Sequence, residues 1–171
     1  RSGDGEKYGK LFRKIREKNP DAVIRTTLML GFPGEDRAAF EKLLDFVKTS
    51  QPDWMGSFTY SREEDTPAYS MRNQKDHDKA QRTAKKWQKE LEEAQSPITE
   101  KRLEKFVGNT YRALIEEKIE GEDLAIGRIY SQAPDVDGLT VIMGRDLKPG
   151  DTVMVGIRAV RGVDLEGVKI D

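Results

Sequence analysis

The run AVIRTTLMLG, residues 22–31, constrains the fold more than any other stretch of the chain. It is short and rich in β-branched residues, so it reads as a buried strand. Before it, DGEKYGKLFRKIREKNPDA spaces Tyr8, Leu11, Phe12 and Ile15 helically, with Asp4 as N-cap and Asn19-Pro20 as the stop. After it, EDRAAFEKLLDFVKTS puts Phe40, Leu43, Leu44 and Val47 on one face, an amphipathic helix. DWMGSFTYS then reads as a second strand. Helix, strand, helix, strand at short spacing predicts βαβ units and a parallel sheet. Two strands are too few for a complete α/β domain and leave an open edge and an uncovered face. With no Met at its start, the chain therefore reads as a piece of a larger protein.

Beyond the loop REEDTPAYSMRNQKD, residues 76–106 read as one long charged helix, a connector. Ala80, Ala84, Trp87, Leu91 and Ala94 keep helical spacing, and Pro97 is expected to kink or restart it. From Val107 the texture changes. TYRALIEEKI, LAIGRIYSQ, LTVIMG, DTVMVGIRAV and DLEGVKI are short strand-like runs separated by Gly, Pro and Asp. That spacing predicts a small antiparallel barrel or sandwich over residues 107–171.

Composition narrows the chemistry. The 171 residues contain no cysteine, which excludes disulfides, thiolate metal sites, iron–sulfur ligation and cysteine nucleophiles within them. A single histidine, His77, makes a histidine zinc site a poor expectation. Its charged neighbours make it a solvated helix-start residue. No apolar window is long enough to span a membrane, and no secretory signal opens the chain. Residues 107–171 hold 8 Lys and Arg against 12 Asp and Glu, a net of −4, whereas residues 1–106 carry +3. Phosphate contacts need an excess of Lys and Arg, so the second half is not a generic nucleic-acid surface.

Three motifs have both a chemical and a scaffold reading. In GFPGED, Gly31 permits close backbone approach, Pro33 fixes the turn and Gly34 allows unusual dihedrals. The C-terminal ends of parallel strands are where α/β folds place ligands, yet the same residues also make an ordinary strand-to-helix turn. In the preceding strand, alternation puts Arg25, Thr27 and Met29 on one face. A buried Arg25 needs an anion, either a ligand carboxylate or an acid on a neighbouring strand. In TYSREEDTPAY, Glu63, Glu64 and Asp65 suit general acid–base work or simply a solvated loop. On the barrel, Arg128 and Tyr130 are candidates to grip a partner, or else scaffold.

Residues 22–69, with GFPGE after one strand and YSREEDTPA after the next, resemble the last third of the radical S-adenosylmethionine core of methylthiotransferases. GRIYSQAPDVDGLTVI with LKPGDTVMVGI resembles that family's TRAM domain, a small OB-like barrel. Thr26-Thr27, APDVDG and the acidic second half resemble the branch acting on a ribosomal protein rather than the tRNA branch.

The resemblance implies an α/β fold followed by an all-β barrel. Residues 1–75 are the last βα units of an open, TIM-like radical-SAM core, 76–106 the helical connector and 107–171 the TRAM domain. It implies a cytoplasmic enzyme that methylthiolates the β-carbon of an aspartate in a small-subunit ribosomal protein, the twelfth. It also implies S-adenosylmethionine and two [4Fe–4S] clusters in the full-length protein. This chain, without cysteine, would hold neither cluster and would not catalyse alone. The partner is that ribosomal protein or the assembled small subunit, with no membrane and no nucleic acid as direct substrate. Arg25, Thr27, Met29, Leu30 and Gly31 would line the S-adenosylmethionine pocket, the last three beside its adenosyl part. Arg128 and Tyr130 would bind substrate.

Overall fold

A computed structural model describes residues 4–170. The chain divides into two compact units, Arg1–Ile98 and Thr99–Asp171.

The first unit is built as the hydrophobic spacing requires. Helix α1 (Gly5–Lys18) starts at Asp4, whose carboxylate accepts from Glu6 N, and ends at Asn19. Strand β1 (Arg25–Leu30) pairs in parallel with β2 (Trp54–Thr59), the two joined through α2 (Arg37–Ser50). Asp36 caps α2 by accepting from Ala39 N at 2.8 Å. The long helix α3 (Gln74–Leu103) runs through Pro97 without restarting. Leu30, Phe40, Val47, Ala84 and Leu91 are the fully buried centre of the core. Phe40 stacks on Trp87 with ring centroids 5.0 Å apart and planes within 9°. At the surface, Arg37 grips Glu90 with two bonds of 2.8 and 3.0 Å, which holds the Glu90 carboxyl below its ordinary range.

Arg16 fastens α1 to the turn that ends α2. It donates to Ser50 O (2.7 Å), Gln51 O (2.6 Å) and the buried Asp53 carboxylate (3.3 Å). The same Asp53 oxygen accepts from Ile24 N at 2.9 Å, so one ion pair fixes the entry to both strands.

The second unit is a closed five-stranded barrel. Its strands are β3 (Thr110–Lys118), β4 (Leu124–Ile129), β5 (Thr140–Met143), β6 (Thr152–Arg161) and β7 (Asp164–Ile170), in the order β3-β4-β5-β7-β6. Each lies on a run expected from sequence, β6 extending one residue past its run to Arg161. The barrel is not purely antiparallel, because β5 and β7 pair in parallel, Thr140 opposite Leu165. Closure removes every exposed edge. Ala113, Ile115, Ala125, Ile129, Ile142, Val155, Ile157 and Leu165 fill the interior.

Closure also brings backbones close at Gly138, where an added Cβ would lie 1.8 Å from Val163 O. The substitution Gly138→Ala should therefore destabilise the protein by about 1–3 kcal/mol in denaturant unfolding. A change below about 0.5 kcal/mol would show that this approach is not a constraint.

Candidate functional site

The first unit offers a site because a strand has two faces: the helices cover one, and the other, beyond the buried Trp54, carries the exposed Arg25, Thr27 and Phe58. Leu28 and Leu30 of β1 and Met55 of β2 point into the helices. The alternate residues must point the other way. Parallel register sets Arg25 opposite Trp54, Thr27 opposite Gly56 and Met29 opposite Phe58. Arg25 and Thr27 lie over Gly56, with Arg25 Nη2 and Thr27 Oγ1 3.7 and 3.6 Å from where a Cβ would stand. Phe58 is 45% exposed. The result is an open shelf with a guanidinium and a hydroxyl above a side-chain-free floor, bordered by Met29 and Phe58.

This arrangement sorts the residues expected from sequence. Arg25, Thr27 and Met29 do share one face. Arg25 is exposed rather than buried, so burial does not oblige it to find an anion. Leu30 is on the opposite face, 0% exposed in the helix-side core, and its side chain is unavailable to a ligand on the shelf. Alternation is the reason.

Gly31 has a different role from the one its sequence suggests. Its φ is +79°, and a Cβ there would stand 2.8 Å from Ala84 Cβ, so the glycine is required by the packing of α3. Its N–H donates to the Glu35 carboxylate and its carbonyl accepts from Arg72 at 2.9 Å. Both polar groups of its backbone are thus already engaged within the chain. The acids of GFPGED are likewise structural: Glu35 closes the turn and Asp36 caps α2. Glu63, Glu64 and Asp65 are exposed in their loop.

His77 corrects the reading of a solvated residue. It is 7% exposed and meets Tyr60 edge to face, ring centroids 5.8 Å apart. Tyr60, 8% exposed, meets Phe32 in the same manner at 5.2 Å. Tyr60 N donates to Leu30 O, so this three-ring stack sits at the C-terminal ends of both strands. The Tyr60 hydroxyl and His77 Nδ1 are buried without a hydrogen-bond partner. The signal for His77 was its spacing, since residues 77, 84 and 91 lie two turns apart along one side of α3. No group of three or more His, Cys, Asp or Glu among the described residues is placed to hold a metal ion.

On the barrel, Arg128 is half-buried and bound to Glu116, Nε to Oε1 at 2.6 Å. Tyr130 is 60% exposed and joins Phe106 and Tyr111 in a ring cluster with centroids 5.3 to 6.0 Å apart. The β3–β4 hairpin carries Glu116, Glu117, Glu120, Glu122 and Asp123. Glu116 is taken by Arg128 and Asp123 by Arg145. Glu117, Glu120 and Glu122 are exposed and carry no ion pair among the described residues. The outward charge of this hairpin is therefore acidic.

A parallel βαβ unit with an open strand face, followed by a closed OB-like barrel, defines a two-part protein, and residues 107–170 match the TRAM domain family. Similarity extends over nearly the whole chain to proteins named ribosomal protein uS12 methylthiotransferase RimO. The one from Treponema denticola is 40% identical over 99% of this chain and 40% of its own length. The one from Alkaliphilus oremlandii is 36% identical over 97% of this chain and 37% of its own length. The one from Petrotoga mobilis is 43% identical over 92% of this chain and 35% of its own length. The chain is a relative of the RimO-type methylthiotransferases and carries a TRAM domain. It spans about two fifths of the length of these curated relatives.

The unpartnered hydroxyl yields a test of the ring stack. Tyr60→Phe keeps both ring contacts and deletes a polar atom that folding leaves unsatisfied. Its stability in thermal or denaturant unfolding should be unchanged or higher by up to about 1 kcal/mol. A loss of about 1 kcal/mol or more would show that the hydroxyl is bonded in the folded protein.

Proposed function

We propose that this chain is part of a radical S-adenosylmethionine methylthiotransferase acting on ribosomal protein uS12. The observation that carries this reading is 36–43% identity, over nearly all of the chain, to proteins bearing that name. The reaction replaces hydrogen on the β-carbon of a uS12 aspartate with a methylthio group.

The open shelf on β1 and β2 fits S-adenosylmethionine. Arg25 would take its carboxylate, Thr27 would hydrogen-bond its polar part, and Met29 with the rim at Gly31 would border the adenosyl part. When bound, the cofactor supplies the methyl group and a 5′-deoxyadenosyl radical. Iron–sulfur clusters do not fit these 171 residues, which contain no cysteine, so they belong to the rest of the protein and this chain alone is inactive.

Recognition of uS12 falls to the TRAM barrel. Glu117, Glu120 and Glu122 on the β3–β4 hairpin offer unpaired negative charge, which complements a basic ribosomal protein and repels tRNA. Tyr130 supplies an exposed ring, while Arg128, neutralised by Glu116, serves substrate binding only by exchanging partners.

The test is incubation of the full-length protein, its clusters reconstituted, with S-adenosylmethionine, a one-electron reductant, a sulfur source and uS12. Mass spectrometry should find the methylthio group on an aspartate of uS12. Methylthiolation of tRNA instead, or of neither, would overturn the assignment. Arg25→Ala should weaken S-adenosylmethionine binding about tenfold or more, measured by calorimetry. Converting Glu117, Glu120 and Glu122 to Lys should slow capture of uS12 most strongly at low salt, read by surface plasmon resonance.

A further inference from the structure

The shelf has a rim, and one arginine outside every motif holds it together. Arg72 is the second residue before α3, beside Asn73, whose side chain caps that helix by accepting from Asp76 N at 2.9 Å. The start of the Arg72 side chain is thus fixed by a 30-residue helix. Its guanidinium reaches back 41 residues to donate to Gly31 O at 2.9 Å, and also to Phe32 O at 3.3 Å. A planar fork on two successive carbonyls sets both the position and the orientation of the turn.

A second arginine holds the segment from which Arg72 projects. Arg62 lies over the Tyr69 ring, 3.5 Å from its centroid, and its Nε donates to Tyr69 O (3.0 Å) and Arg72 O (2.8 Å). At the other end of the segment, Gln81 Nε2 donates to Tyr60 O at 2.8 Å. The loop from Ser61 to Asn73 is therefore pinned at both ends, and Arg72 ties it to the GFPG turn. Ser61–Asn73 and Gly31–Phe32 follow the C-terminal ends of β2 and β1, so they form the two lips of the shelf.

We propose that Arg72 is a positioning residue that clasps the GFPG turn to the 61–73 segment, so that both lips of the ligand shelf hold one geometry. Arg72 does not touch the ligand in this scheme; it acts through the carbonyls of Gly31 and Phe32. The clasp itself follows from the bonds above, whereas its consequence for S-adenosylmethionine rests on the functional reading already given.

The experiment compares wild type, Arg72→Ala and Arg72→Lys in the full-length protein. Amide hydrogen exchange reads the clasp without any ligand. In Arg72→Ala, peptides covering residues 31–36 and 62–73 should exchange about tenfold faster, with the barrel unchanged, as expected for loss of a charge-assisted bond. Arg72→Lys keeps the charge but reaches one carbonyl, so it should fall between the two and also serves if the alanine variant does not fold. In calorimetry S-adenosylmethionine should bind about tenfold more weakly to Arg72→Ala. In turnover its KM should rise while the KM for uS12 stays constant.

Unchanged exchange in either segment overturns the clasp. Faster exchange with unchanged S-adenosylmethionine affinity overturns the positioning role. A wild-type protein that binds no S-adenosylmethionine defeats the functional reading and the positioning role that rests on it, and the exchange result then decides the clasp by itself.

Discussion

A two-stranded parallel sheet can bury only one face against its helices, and the first unit follows from that constraint. Leu28, Leu30 and Met55 are committed to α2 and α3, so Arg25, Thr27, Met29 and Phe58 are left on the open side. The same commitment explains why polar residues are tolerated within β1. Thr27 and Arg25 cost little where they are, whereas either on the Leu30 side would be an uncompensated polar group in a dry core. The open shelf is therefore the other side of the same packing decision.

Much of this was legible because period and burial agree. The β-branched run of β1, the apolar stripe of α2 and the short alternating strands of the barrel each have one pattern and one structural answer. The mixed pairing of the barrel was not legible, since strand order and direction depend on closure rather than on local spacing. Leu30 shows how a correct pattern can be read too broadly. Alternation already separated it from Met29, and the family resemblance alone made it a candidate for the shelf.

His77 and Arg72 were illegible for opposite reasons. His77 is surrounded by charged residues, and composition outweighed the helical spacing that aligns it with Ala84 and Leu91. Burial on a helix is decided by side, so a charged window says little about one residue within it. Arg72 has no pattern at all, because its partners are backbone carbonyls some 40 residues away. Every sequence offers such carbonyls, and only the fold selects two of them. Gly31 lies between these cases: its backbone freedom was evident, but its steric cause, Ala84, belongs to a distant helix.

The barrel shows how pairing redistributes a charge that composition gives only as a total. An acidic excess over residues 107–171 says nothing of where field lines emerge. The Arg128–Glu116 and Arg145–Asp123 pairs remove two acids of the β3–β4 hairpin from that excess and two arginines from any pool of phosphate contacts. What remains outward on the hairpin is Glu117, Glu120 and Glu122, grouped within one turn-and-strand segment that also carries the exposed Lys118. Exposed pairs such as these add little to stability. Their larger effect is on sign, since each neutralised arginine leaves the neighbouring glutamates less opposed. A surface built in this way attracts cationic polypeptide over a distance of about 8–10 Å at moderate salt and turns away a phosphate backbone over the same range.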